Sequence, residues 1–75
     1  MFRFGPYRFF FFSREEKRIH VHVYCGNGEA KFWIHPRVSL AKNYGLTRQQ
    51  LTAVKKLIED HRNEIIRAWR THFPG

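Results

Sequence analysis

The chain predicts a two-layer α+β domain: a small antiparallel three- to four-stranded sheet with a long C-terminal helix packed on one face. Three observations carry this. Residues 19–25 alternate apolar and polar side chains, the period-two pattern of a half-buried strand. Asn27-Gly28 stands between that run and a second β-prone run, where a tight hairpin turn belongs. From Leu51 to Trp69 apolar residues recur at helical spacing, the stripe of an amphipathic helix.

The elements follow in order. Gly5-Pro6 marks a bend, and the aromatic run after it predicts a first strand at about 7–13. In that strand Tyr7, Phe9 and Phe11 point one way and Arg8, Phe10 and Phe12 the other, so one set joins the core and the rest stays outside. A charged connection, 13–18, leads to the second strand, about 19–25. There Ile19, Val21, Val23 and Cys25 share one face, and His20, His22 and Tyr24 the other. With Asn27 and Gly28 as the centre of a type I′ turn, a third strand at 29–35 pairs Val21 with Ile34, Val23 with Phe32 and Cys25 with Ala30. The polar side then pairs His20 with His35, His22 with Trp33 and Tyr24 with Lys31. Slipping this register by one residue would mix the two faces, which a half-buried sheet resists.

Pro36 ends the third strand, and 37–42 predicts a short edge strand closed by a turn at Asn43, Tyr44 and Gly45. Thr47 with Gln50 is a capping box, with Leu46 as the hydrophobic staple before it. The helix spans about 47–72, with Leu51, Val54, Ile58, His61, Ile65 and Trp69 on its buried stripe. Uninterrupted, it measures roughly 39 Å, against ~20 Å for a six-residue strand. It must therefore overhang the sheet, break near 60–63, or pack on another molecule.

At 75 residues there is room for a single domain, and its core is marginal enough that a partner or a homodimer interface is expected. Hydrophobic residues at 43% and aromatic residues at 17% exclude a disordered chain. Fourteen Lys and Arg against six Asp and Glu give a net charge of +8. That balance points to nucleic acid first, an acidic protein second and an anionic membrane third. One cysteine and no signal peptide predict a cytoplasmic protein. Phe9 to Phe12 is too short to span a membrane. No cofactor is implied.

The His face supports several chemistries. His20 and His22 project the same way, and His35 lies opposite in the predicted register, so three imidazoles converge toward a metal site. A fourth ligand is missing, with Cys25 on the other face, so no metal is assigned. A metal-independent ribonuclease needs a base, an acid and a cation for phosphate. His22 with His20 or His35 fills the first two roles, and Lys31 with Arg8 or Arg37 the third. The same face can bind single-stranded RNA through Trp33 and Tyr24 as stacking platforms and Arg8, Lys31 and Arg37 as phosphate contacts. Because neither side of the Phe-rich strand is polar, this face reads as an occupied docking surface, for a protein first and a nucleic acid next. His61 reads as a core histidine and Cys25 as an inert buried thiol.

These segments resemble a known family. Tyr7-Arg-Phe-Phe-Phe-Phe-Ser13, His20-Val-His-Val23, Gly28-Glu-Ala-Lys-Phe-Trp33, Asn43-Tyr-Gly45 and Ala68-Trp-Arg-Thr-His-Phe73 together look like the bacterial "domain of unknown function 4160" family, over nearly the whole chain. Many members carry a Pro-Pro pair before the first His, where this chain has Lys17-Arg18-Ile19. The resemblance implies a small bacterial protein whose gene sits beside that of another small domain, an arrangement similar to toxin–antitoxin pairs. It thus implies a protein partner and supplies no catalytic residues. Two readings follow: a toxin–antitoxin-type module that binds an acidic partner and RNA, with ribonuclease action through His20, His22 and His35, or a non-enzymatic interaction subunit or homodimer.

Overall fold

A computed structural model describes residues 2–11 and 17–73. Five strands form one antiparallel sheet in sequential order: β1 (Phe2–Phe4), β2 (Tyr7–Phe10), β3 (His20–Cys25), β4 (Gly28–Trp33) and β5 (Ser39–Tyr44). Two helices follow, α1 (Arg48–Asp60) and α2 (Arg62–His72). The class is the expected α+β, with one strand more than four and two helices in place of one. Phe12 and Ser13, the expected end of the first strand, lie outside the described residues.

The added strand is β1. Gly5 adopts φ +59 and Pro6 follows it, so a two-residue turn pairs Phe4 with Tyr7 and Arg3 with Arg8. The β3–β4 turn uses the same device one residue earlier than expected. Its centre is Gly26-Asn27, with positive φ at Gly26 and not at Asn27, the requirement of a type II′ turn rather than type I′. The register therefore moves by two: Val21 pairs with Phe32 and Val23 with Ala30, while His20 pairs with Trp33, His22 with Lys31 and Tyr24 with Glu29. A shift of two preserves which side chains share a face.

The edge strand β5 begins at Ser39 rather than 37 and runs on through Asn43 and Tyr44. The turn is closed instead by the Asn43 side chain, whose Nδ2 donates to Leu46 O at 3.0 Å and whose Oδ1 accepts from Leu46 N at 3.0 Å. The capping box forms as expected. Gln50 N donates to Thr47 Oγ1 at 3.1 Å, and Thr47 N to Gln50 Oε1 at 2.9 Å.

The long helix breaks at His61, where φ −113 and ψ 19 end α1 and start α2. This resolves the length mismatch. Helices of 13 and 11 residues measure ~20 Å and ~16 Å, each close to strand length. Both pack on the same side, with Val54 and Ile58 of α1 and Ile65 and Trp69 of α2 buried against Phe9, Phe11, Val21, Val23, Ala30, Phe32 and Ile34. Phe9 and Phe11 are thus the set that joins the core. His61 is half-buried rather than fully enclosed, its ring stacked on Phe4 at 4.4 Å and its Nδ1 3.3 Å from Glu64 Oε1. Cys25 is likewise half-buried, its Sγ accepting from Gln50 Nε2 at 3.5 Å.

Candidate functional site: the helix-free face of the sheet

With both helices on one side, the pairing registers decide what stands on the other. Three rows cross the sheet. The first runs Arg3, Arg8, Tyr24, Glu29, Tyr44 over all five strands. The second runs Phe10, His22, Lys31, Lys42 over four. The third joins His20, Trp33 and Ser39. Arg3, Arg8, Lys31 and Lys42 are thus interleaved with Phe10, Tyr24, Trp33 and Tyr44, and Glu29 is the one carboxylate in these rows.

Local contacts tie the rows together. Phe10 meets the Tyr24 ring edge-on at 5.4 Å. The Trp33 ring carries the Lys31 ammonium at 4.6 Å and the Arg18 guanidinium at 4.5 Å, both within cation–π range. Arg18 is held there by its Nε donating to His35 O at 2.8 Å. His22 Nδ1 lies 3.7 Å from Glu29 Oε2, a charge pair whenever the imidazole is protonated. Desolvation on the sheet, followed by the field of Glu29 and a hydrogen bond to it, raises the Tyr24 hydroxyl above its ordinary value of 10.0.

The three histidines do not converge. His20 and His22 are neighbours, with ring centroids 5.5 Å apart. His20, however, is only 3% exposed: its ring packs edge-on to Trp69 at 5.0 Å and its Nδ1–H donates to Arg18 O at 2.8 Å. His35 lies beyond the end of β4 rather than opposite His20. There Arg62 of α2 grips the chain, donating through Nε to Ile34 O at 3.2 Å and approaching His35 Nδ1 at 3.4 Å. Of the expected trio, only His22 stands among the cations. Among the described residues no group of three or more His, Cys, Asp and Glu is placed to hold a metal ion.

Arg8, Tyr24, Lys31 and Trp33 do share the face as expected, whereas Arg37 lies in the exposed β4–β5 connection and is in none of its rows. A family model described as a domain of unknown function (DUF4160) matches residues 7–70. The chain belongs to the DUF4160 family. No curated protein and no solved structure matches it. In this DUF4160 chain the match takes in β2 to β5 and nearly all of both helices, while β1 lies before it.

Sequence reasoning missed Arg3, Lys42, Tyr44 and the role of Arg18. The first was open to discovery, because reading Gly5-Pro6 as a hairpin turn rather than a bend sets Arg3 against Arg8. Lys42 and Tyr44 alternate with Ala41 and Asn43, a strand pattern masked by the turn-like Asn-Tyr-Gly. Nothing local marks Arg18 as a partner of Trp33. Among the described residues no helix is long and apolar enough to cross a membrane.

Proposed function

We propose that this protein is a small module of toxin–antitoxin type that binds single-stranded RNA on the helix-free face of its sheet. The single observation that carries the reading is the interleaving of cations and aromatic rings in rows across that face. Single-stranded RNA offers what such a surface recognises: a regular run of phosphates and unstacked bases with π faces. Stacking is worth about 1–3 kcal/mol per base, enough for two or three rings to hold a strand without reading its sequence. A base that stacks on Trp33 joins a ring that already carries the Lys31 ammonium and the Arg18 guanidinium, so cations stand beside the adjoining phosphate. The reading is of binding rather than cleavage, supported by the burial of His20 and the separation of His35 from His22.

Tryptophan fluorescence tests this directly. Trp33 is half-exposed on the face while Trp69 is buried under α2. Titration with a single-stranded oligoribonucleotide quenches the emission, and Trp33→Phe removes that quenching while leaving the Trp69 signal. Emission that does not respond to RNA at low salt rules the reading out.

A second reading, that the protein docks an acidic protein partner or a second copy of itself, has its own observation. Both exposed large apolar side chains among the described residues, Leu40 at 45% and Tyr44 at 61%, stand on edge strand β5 beside Lys42. An open edge flanked by apolar and cationic groups suits an added strand carrying acidic residues. Sedimentation of the purified protein alone, and then with the neighbouring gene's product, separates self-association from a heteromeric contact. Leu40→Lys weakens either.

A further inference from the structure

One corner of the face differs in kind from the rest. The β1–β2 and β3–β4 turns lie at the same end of the sheet, and between them Arg3, Pro6, Arg8, Tyr24 and Gly26 line a depression of about 270 Å³. Arg3 and Arg8 are direct cross-strand partners, so their Cα atoms lie about 4.5–5.5 Å apart. Like charges set opposite one another destabilise a sheet pair, and neither guanidinium is ion-paired to a carboxylate among the described residues. Two guanidiniums without a paired carboxylate among the described residues, walled by the Tyr24 ring, make a receptor for a compact, doubly charged anion.

We propose that Arg3, Arg8 and Tyr24 form a subsite for a terminal phosphate monoester of the RNA bound on the face. The inference rests on the RNA reading and deepens it. Charge selects the monoester, because near neutral pH it carries between −1.5 and −2, matching two guanidiniums, whereas a backbone diester carries one charge. Size agrees, since the depression is smaller than the roughly 300–1,000 Å³ of sites that enclose a whole small molecule. Position agrees too: the subsite lies at the corner of the sheet, and Trp33 is four residues along β4 from Glu29 of the same row, ~13 Å away at 3.3 Å per residue. A strand anchored by its end at Arg3 and Arg8 runs along the rows toward the Trp33 ring. Arginine suits the task, since its fork meets phosphate oxygens in pairs. The rim at Gly26 is open space, where even a Cβ would meet nothing within 4 Å. Glu29, next in the row, faces Tyr24 and draws its hydroxyl hydrogen bond, and His22 stands against that carboxylate on the far side.

The test compares one oligoribonucleotide bearing a 5′-phosphate, a 3′-phosphate or hydroxyls at both ends, by fluorescence anisotropy at fixed salt. One phosphorylated end binds about tenfold tighter than the hydroxyl form, as two charge-assisted contacts allow, and which end it is distinguishes the two sources of monoester. Arg3→Gln and Arg8→Gln each abolish the preference, bringing the three oligonucleotides to one common affinity. Arg67→Gln, an exposed arginine on α2, leaves the preference unchanged. Equal binding of all three oligonucleotides, or a preference that survives both Arg3→Gln and Arg8→Gln, overturns the subsite while the RNA reading stands. Failure of all three to bind overturns both.

Discussion

A methyl group at Gly28 would lie 2.8 Å from Leu46 Cδ2 and 3.0 Å from the Gly45 carbonyl carbon. The residue that looks like half of a turn is therefore a strand residue, buried because another segment of backbone passes over it. Gly28→Ala is expected to force that segment outward and cost about 1–3 kcal/mol, read as a lower midpoint in urea unfolding. An unchanged midpoint would mean that the Gly45 turn yields freely. Tyr24 carries a second prediction at this scale. Its folded-state pKa is raised, so its contribution to stability is fully present below 10.0 and is lost as pH climbs past that value. In an alkaline absorbance titration Tyr24 ionises later than an ordinary tyrosine. Glu29→Ala removes two of the three causes and moves its titration back down toward 10.0.

At the scale of elements, what was legible were patterns set by neighbours in the chain. Alternation over 19–25 settled which side chains of β3 share a face, and that assignment survives a register shift of two because parity does not change. Thr47 and Gln50 announced the start of α1 because a capping box is a contact between residues three apart. Thr47→Ala is expected to cost about 1 kcal/mol, with the loss seen as earlier unfolding of the helical circular-dichroism signal. What stayed hidden depends on distant residues. The hairpin turns at Gly26-Asn27 rather than Asn27-Gly28 because Gly28 is needed under Gly45 and Leu46. The break at His61 has no Pro or Gly to mark it, and the apolar stripe runs through it without a change of period. It became an option only through the mismatch between helix and strand lengths. β1, three residues long, is too short for any periodicity to show.

At the scale of the molecule, the five strands and two helices of the described residues leave one sheet face without a helical layer among those residues. Part of that face is legible: alternation and the hairpin put Tyr24, Lys31 and Trp33 on it, whereas alternation leaves open which side of the Phe-rich strand faces the core, so Arg8 is named for its charge. The His trio is not legible, because His35 depends on where β4 stops and His20 on the reach of Trp69 from α2 around the sheet's end. The measurement that tests the central claim most directly is the salt dependence of single-stranded RNA affinity, compared between two double variants of equal charge. Lys31→Gln with Lys42→Gln alters the face. Arg48→Gln with Lys56→Gln alters the exposed side of α1. For single strands the log–log slope changes by about 0.7 per phosphate contact. The face variant is predicted to bind more weakly and lose about 1.4 from the slope, while the helix variant keeps the wild-type slope. A slope that falls in the helix variant and holds in the face variant would contradict the assignment of RNA binding to the sheet.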